Sequence, residues 1–286
     1  DLYDQKNLAP CWLLNGQKGI GKFAFARNFS QYVLTDHSQN QHGLGAQLIV
    51  RQMHAGSYPN FLNIQKPVTA SEQSNEIPLS ECRKVLDFLS HSPIMPGWRV
   101  VVIDAASELN RSAANCLLKI IEEPPPKTLI LLICHSWGKV MPTLRSRCQR
   151  LDFSPLTAED IEGLEIDQEL FDFSLGSLGY YQQLAASGGK NFLNSVRTMV
   201  QAARQGQWIH LQKFCQDTSK LSDQFECFLW LLPFLIYKKA TETQAVEWLT
   251  IASKLSHFIE QAKTSHLDKN QFMLSCFLLI ENPFIF

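Results

Sequence analysis

Four consecutive apolar residues, 100–103, run without alternation into Asp104. An unbroken apolar run of this length is typical of a strand that is buried on both faces, as in a parallel sheet covered by helices. The carboxyl ends of such strands are where open α/β sheets bind their ligands. Asp104 therefore occupies a position where a ligand-binding carboxylate is expected, and the rest of the chain must supply neighbouring strands and covering helices.

The residue after Asp104 separates this chain from working enzymes with the same pattern. In nucleotide hydrolases an aspartate in this place holds the metal ion on the phosphates. An active hydrolase usually has an acidic residue next, to orient the attacking water, but here the residue is Ala105. The sequence thus has the frame of a nucleotide-hydrolysing domain and lacks part of its chemistry.

A glycine-rich loop follows the short apolar strand predicted at residues 11–14 and matches the pattern G-x-x-x-x-G-K. Gly16, Gly19 and Gly21 let the backbone turn so that its N–H groups point at phosphate oxygens. Lys22 adds a positive charge beside the amino terminus of the helix that begins there. These four residues and Asp104 are the candidate nucleotide-binding residues.

Phe23 follows Lys22, where a working loop has a serine or threonine that ligates magnesium. A phenyl ring cannot bind the ion. We therefore favour a loop that is kept for the fold, with no cofactor required and with ATP or ADP binding left open. The alternative is an independent P-loop ATPase with atypical magnesium ligation, which the intact glycine loop and Asp104 favour.

Strand and helix patterns alternate through the first half of the chain, which predicts a doubly wound parallel sheet. Besides 100–103, strands are predicted at 11–14, 61–64, 128–134 and 149–153. Helices are predicted from Lys22 onward, at 80–89, from the cap Asn110 to Glu122, and at 142–148. The first helix is expected to bury Phe25, Phe29, Tyr32 and Val33, and residues 35–57 to form an irregular connection.

Helical patterns replace strands from about residue 155. The sequence predicts an α/β domain at 1–154, a small helical lid at 155–200 and an all-helical carboxyl-terminal domain at 201–286. Within the lid, helices are expected at 156–164 and 171–184. The longest apolar run, 227–237, contains Pro233 and is too short to span a bilayer; no secretory signal is visible.

Charge and cysteine spacing narrow the class of protein further. The formal net charge of −1 produces no overall positive field that would attract nucleic acid. No two of the eight cysteines lie within four residues of each other, so zinc-type spacing is absent and no metal site is expected. We expect reduced thiols in a cytoplasmic protein.

Two arginines, Arg145 and Arg147, stand two residues apart in the stretch LRSRC. At this spacing they cannot share one helix face, so one can pair within the chain while the other projects. Spacing alone favours two ordinary surface ion pairs.

Taken together, these stretches resemble the clamp-loader group of AAA+ proteins. The resemblance rests on residues 16–22, 100–110, 115–125 (NCLLKIIEEPP) and 142–149 (PTLRSRCQ). They occupy most of the first 150 residues in the family's order and spacing, and the Ser-Arg-Cys triplet is distinctive of the group. The carboxyl-terminal third is similar only in its helical character.

The resemblance implies a P-loop AAA+ domain, a lid and a carboxyl-terminal collar that holds subunits together. It implies that Arg147 is an arginine finger, inserted into the ATP site of a neighbouring subunit, where it neutralises charge on the transferred phosphoryl group. The implied partners are clamp-loader subunits of the gamma/tau and delta type, the sliding clamp and primer–template DNA, with no membrane.

Several departures from the family suggest a subunit of the bacterial DNA polymerase III clamp loader that does not hydrolyse ATP. Phe23 and Ala105 replace a magnesium ligand and an acidic residue, and Tyr180 stands where the lid motif has a nucleotide-sensing arginine. Many relatives carry a four-cysteine zinc module, but this chain has no cysteine between Cys11 and Cys82, so no zinc is expected. An AAA+ scaffold unrelated to replication is the remaining alternative, and the Ser-Arg-Cys triplet argues against it.

Overall fold

The computed structural model describes residues 8–36, 44–66, 76–262 and 268–282. The chain divides into two compact units, Asp1–Pro155 and Leu156–Phe286. Among the described residues, all strands belong to the first unit, and the second unit is built from helices.

The first unit is built on a sheet of five parallel strands. In chain order the strands are β1 (Cys11–Asn15), β2 (Phe61–Gln65), β3 (Arg99–Asp104), β4 (Thr128–Cys134) and β5 (Gln149–Asp152). They lie side by side in the order β2-β3-β4-β1-β5. Every residue of β4, and every residue of β3 except Asp104, is buried, as expected for strands that helices cover on both faces.

Helices pack on both faces of this sheet, which confirms the predicted doubly wound fold. They are α1 (Lys22–Asp36), α2 (Leu44–His54), α3 (Leu79–Ser90), α4 (Arg111–Glu122) and α5 (Pro142–Arg145). Alternate residues of the central strands belong to two separate hydrophobic clusters, because successive side chains of a strand point to opposite faces. One cluster contains residues of α3 and α4, and the other contains residues of α1 and α2.

The start of α4 is capped as the sequence predicts. The side chain of Asn110 accepts a hydrogen bond from the backbone N–H of Ala113 at 2.8 Å, which satisfies one of the free N–H groups at the helix start. Ala113, Leu117 and Ile121 form the buried stripe of this helix. Its predicted last residue, Glu122, is also its last residue in the structure.

Two predictions for the region after β1 are wrong. The segment predicted to be irregular contains α2, whose Ile49 and Met53 enter the core. The predicted buried face of α1 is wrong in part: Val33 is buried, whereas Phe25 is 39% exposed and Tyr32 is 49% exposed. Ala26 and Ser30 on the adjoining stripe are buried, because their small side chains let the helix axis approach the strands.

The second unit consists of seven helices within the described residues. They are α6 (Gln168–Asp172), α7 (Leu178–Ala186), α8 (Gly189–Arg204), α9 (Trp208–Lys220), α10 (Ser222–Thr243), α11 (Val246–Ala262) and α12 (Lys269–Glu281). One hydrophobic cluster extends from Leu170 in α6 to Ile280 in α12. The division of this unit into a lid at 155–200 and a collar at 201–286 stays a prediction.

The helix predictions for the start of this unit need correction. Residues 156–164 contain only the 3-10 turn Glu159–Ile161. The helix predicted at 171–184 is interrupted between α6 and α7, where Leu175 and Gly176 both have positive φ angles, 57° and 67°, which end an α-helix. None of the described helices is long and apolar enough to cross a membrane.

Candidate functional site

The carboxyl ends of β1, β3 and β4 lie side by side at one end of the sheet, where the parallel strands finish. We call this end the loop edge. Asn15 lies beside Cys134, and Asp104 lies beside Ile133. The backbone N–H of Gly16 donates to the carbonyl of Cys134 at 3.2 Å. The structure therefore brings the start of the glycine loop to the edge at which Asp104 ends its strand.

The glycine loop needs glycine for two different reasons. A Cβ atom at Gly16 would lie 2.6 Å from the carbonyl oxygen of Phe153 and 2.7 Å from Cδ1 of Ile20, so no larger residue fits there. Gly19 and Gly21 have φ angles of 81° and 98°, in the left-handed region that favours glycine. The loop thus turns sharply before α1 begins at Lys22.

The Lys22 side chain closes the loop on itself. Its ammonium group donates to the carbonyl oxygens of Gly16, at 2.7 Å, and Gln17, at 2.5 Å, and the residue is only 2% exposed. Burial lowers the pKa of Lys22 from its ordinary 10.5 to about 8, and the Asp104 carboxylate opposes this shift. In this arrangement the Lys22 ammonium group, which would bind a phosphate in a working loop, binds backbone carbonyls of the loop instead.

The carboxylate of Asp104 has a neighbour that the sequence analysis did not anticipate. Nε2 of His135, the first residue after β4, lies 3.4 Å from Oδ1 of Asp104. The other ring nitrogen, Nδ1, is buried and has no hydrogen-bond partner in the part of the chain that the structure describes. A histidine thus occupies space beside the carboxylate in which an active hydrolase would hold a metal ion.

The residues of the loop edge do not fit the magnesium complex of a nucleotide. Phe23, in place of a hydroxyl ligand, packs against the core cluster on its face of the sheet, and Ala105 is buried. The described ranges contain no group of three or more histidine, cysteine, aspartate or glutamate side chains that could hold a metal ion. The backbone turn that could cradle a phosphate is present, whereas Asp104 is the one oxygen ligand for magnesium that remains of the expected set, and His135 lies beside it.

Tyr180, which stands where the resemblance implies a nucleotide-sensing arginine, lies in the second unit and has a structural contact there. The hydroxyl of Ser177 accepts a hydrogen bond from the N–H of Tyr180 at 3.1 Å and caps α7. The Tyr180 ring stacks on Trp230 with a centroid distance of 4.4 Å, and burial raises the pKa of its hydroxyl.

Arg147 lies at the opposite end of the sheet, where the parallel strands begin. We call this end the arginine edge. It precedes β5, whose first residue, Gln149, lies beside Trp12, while Asp152 at the other end lies beside Asn15. A parallel strand rises about 3.3 Å per residue, so the start of β5, which Arg147 precedes by two residues, is roughly 13 Å along the strand direction from Gly16. Within one chain the arginine and the loop therefore face different ways.

Three contacts hold the Arg147 guanidinium at the surface. Nε donates to the Glu122 carboxylate, and Nη1 donates to the carbonyl of Thr143 at 3.0 Å and to the hydroxyl of Ser146 at 3.3 Å. The side chain remains 38% exposed. It is thus neither buried in the core nor directed at its own loop.

Arg145 has a different environment, although it is only two residues away. Its guanidinium lies over the Trp137 ring, 5.3 Å from the centroid, and donates weakly to the Trp137 carbonyl at 3.4 Å. Arg150 lies over the same ring at 4.3 Å. Arg145 is therefore a packing residue, and Arg147 is the more exposed of the pair.

Two residues of these sites were missed in the sequence. His135 could have been found by the rule that located Asp104, since it directly follows a run of six apolar residues. Glu122 stands within the stretch NCLLKIIEEPP, but nothing in that stretch points to Arg147, which follows 25 residues later. Only the return of α4 to the arginine edge places the two side chains together.

Comparison with known proteins finds relatives of this chain among DNA polymerase III subunits. A family model described as DNA polymerase III, delta subunit matches residues 1–157. A DNA polymerase III subunit delta' from Pseudomonas aeruginosa is 30% identical over 190 residues, which cover 63% of this chain and 57% of the relative. The corresponding subunit of Escherichia coli is 29% identical over 137 residues, 48% of this chain and 40% of the relative.

A subunit of another type is also similar. The DNA polymerase III subunit tau of Bacillus subtilis is 28% identical over 193 residues, 66% of this chain and 33% of the relative. The matched segments thus span between a third and somewhat over half of the length of these three relatives.

A solved structure extends the similarity of fold to nearly the whole chain. The crystal structure of a DNA polymerase III gamma subunit-related protein from Thermotoga maritima superposes with a TM-score of 0.56 at 17% identity and covers 98% of this chain and 96% of that one. Together with the parallel sheet and the glycine loop, this confirms a P-loop AAA+ α/β domain followed by helical structure.

Proposed function

Because this chain belongs to the DNA polymerase III delta-prime family of clamp-loader proteins, we propose that it is a clamp-loader subunit that does not hydrolyse ATP itself. In this proposal Arg147 completes the ATP site of a neighbouring subunit during loading of the sliding clamp onto primed DNA. Its direct neighbours are subunits of the gamma/tau and delta type, and its work takes place in the cytoplasm.

The location of Arg147 is the observation that carries this proposal. The arginine lies at the edge of the sheet opposite its own glycine loop, with its guanidinium exposed. An arginine so placed cannot reach a phosphate on its own loop, whereas it can reach one on a chain packed against this edge. A guanidinium delivered in this way stabilises charge on a transferred phosphoryl group, and its planar fork suits phosphate oxygens better than an ammonium does.

The loop edge supports the absence of hydrolysis by this chain. Phe23 offers no ligand for magnesium, Ala105 cannot orient a water, and the Asp104 carboxylate has His135 beside it. Each of these features removes a different requirement of hydrolysis. We infer that the subunit requires no cofactor and no zinc, and that ATP or ADP binding at Gly16, Gly19, Gly21, Lys22 and Asp104 is weak where it occurs.

We assign the contacts with partners to different regions of the chain. The AAA+ domain at 1–154 would deliver the arginine, the lid would occupy 155–200, and the helices of 201–286 would form the collar through which subunits associate. The near-zero net charge suits a subunit whose main partners are proteins. Contacts with the sliding clamp and primer–template DNA would be made within the assembled complex.

The proposal is tested by reconstituting the clamp loader with Arg147→Ala. We expect ATP hydrolysis at the neighbouring site to fall by roughly 10³-fold, the lower end of what an arginine finger contributes, and clamp loading to fall with it. Arg150→Ala is the matched control, because Arg150 is exposed on the same segment and no finger role is assigned to it. Unchanged hydrolysis and loading with Arg147→Ala would refute the proposed role.

The complete backbone turn of the glycine loop favours a second candidate, an independent P-loop ATPase. An assay of ATP hydrolysis by the purified chain alone distinguishes the two functions. ATP hydrolysis by the free chain that is lost in Lys22→Ala would support the ATPase, and no hydrolysis above background supports the accessory subunit.

A further inference from the structure

The Arg147 guanidinium is held by hydrogen bonds to its own chain and is still partly exposed. Nε faces the Glu122 carboxylate, and Nη1 faces Thr143 and Ser146. Among the residues that the structure describes, Nη2 makes no hydrogen bond. The three hydrogen bonds of Nε and Nη1 fix the plane of the guanidinium, while the side chain remains 38% exposed.

The contact with Glu122 comes from a rigid element. Glu122 is the last residue of α4, a helix with a side-chain cap at its start and a buried apolar stripe along its length. Pro124, two residues later, prevents the helix from continuing. The carboxylate is therefore presented from a fixed position, although the side chain itself is 45% exposed.

Glu122 also occupies an electrostatically unfavourable place on its helix. The carboxyl end of a helix carries partial negative charge, so a carboxylate in the last turn is disfavoured there and a cation is preferred. The positive charge of Arg147 compensates for this. The charge of Glu122 is thus stabilised by Arg147, from another segment of the chain, and not by its own helix.

We propose that Glu122 is a positioning residue for Arg147. It selects one conformer of the exposed arginine, so that the guanidinium is oriented before the subunits meet. This inference rests on the proposed function and adds a residue that acts through the arginine without touching the phosphate. A free arginine populates many rotamers, and fixing one in advance reduces the entropy lost on binding.

The exposure of the pair limits the size of the effect. Exposed ion pairs change equilibria by up to about fivefold, so Glu122 cannot hold the arginine back from a multiply charged phosphate. We therefore expect Glu122 to assist the arginine rather than to restrain it.

Three variants of the full chain, each reconstituted with the partner ATPase subunits, test this inference. Glu122→Ala removes both the charge and the acceptor, and we expect kcat for ATP hydrolysis to fall about two- to fivefold with KM for ATP unchanged. Glu122→Gln keeps an amide oxygen that can accept from Nε, so it should retain most of the rate. Glu123→Ala, the matched control, removes an exposed carboxylate one residue away and should leave the rate unchanged.

A measurement on the free chain separates positioning from a general structural effect. We expect the Nε–H proton of Arg147 to exchange slowly with solvent in the wild type, rapidly in Glu122→Ala and at an intermediate rate in Glu122→Gln, as followed by NMR. The inference is overturned if Glu122→Ala leaves kcat unchanged or raises it, or if the exchange rates do not differ. If Arg147→Ala lowers hydrolysis while Glu122→Ala does not, only this inference fails; if neither variant does, the proposed function fails as well.

Discussion

Gly16 lies directly against the backbone of Phe153, so that a Cβ atom on Gly16 would be 2.6 Å from the Phe153 carbonyl oxygen. This contact joins the start of the glycine loop to the residue that follows β5. It means that the loop conformation depends on the strand that comes after the arginine segment.

Substitution of Gly16 should therefore destabilise the fold. We expect Gly16→Ala to lower the free energy of unfolding by about 1–3 kcal/mol, because the methyl group meets backbone that cannot move aside cheaply. Urea unfolding followed by circular dichroism measures this difference. Gly138→Ala is the control, since a Cβ there meets nothing within 4 Å; equal stability of the two variants would contradict the close contact.

The buried ammonium of Lys22 predicts a pH-dependent stability. The folded chain releases this proton near pH 8 and the unfolded chain near pH 10.5, so between these values the unfolded state binds more protons and stability rises with pH. The unfolding free energy of the wild type should therefore rise relative to that of Lys22→Met from pH 8 to pH 10.5. A difference between the two proteins that stays constant over this range would show that Lys22 is not desolvated in the fold.

The capping bond of Asn110 should be measurable in the same unfolding experiment. Asn110→Ala removes the acceptor for the Ala113 N–H and should cost about 1 kcal/mol of stability. Asn110→Asp keeps a carboxylate oxygen at this place and should remain close to the wild type. If the alanine and aspartate variants were equally destabilised, the cap would not be the cause.

Magnesium should not strengthen nucleotide binding by this chain. With Phe23 in place of a hydroxyl ligand and His135 beside Asp104, we expect a fluorescent ATP analogue to bind with the same affinity in magnesium as in EDTA, as measured by anisotropy. The double variant Phe23→Thr/His135→Ala restores a hydroxyl and frees the carboxylate, so magnesium should raise its affinity. Tighter binding of the analogue by the wild type in magnesium would contradict this account of the site.

The sequence was most informative where burial alone determines the structure. The β4 strand was predicted to the residue, because six apolar residues in a row, 129–134, stand between turn signals. The Asn110 cap was predicted because its chemistry is local. Asp104 was placed at the loop edge by the same reasoning.

The sequence was less informative where the outcome depends on packing between distant segments. In α1 two stripes of residues have helical periodicity, and the aromatic one was taken for the buried face, although Ala26 and Ser30 permit a closer approach to the sheet. The α2 helix was missed because glycine, histidine and glutamine interrupt its apolar pattern. The roles of His135 and Glu122 depend on which strands and helices end side by side, which local patterns do not specify.

The placement of the glycine loop and Arg147 at opposite edges of one sheet gives each copy of this fold a direction. In a head-to-tail row of such copies, each internal member has a neighbour's arginine beside its glycine loop and places its own arginine beside the loop of the next member. A member whose glycine loop cannot support hydrolysis gains nothing from a neighbour's arginine. It loses nothing at the end of the row where its own loop faces no neighbour and only its arginine is in contact. Loss of one site can thus determine which end of the row a subunit occupies.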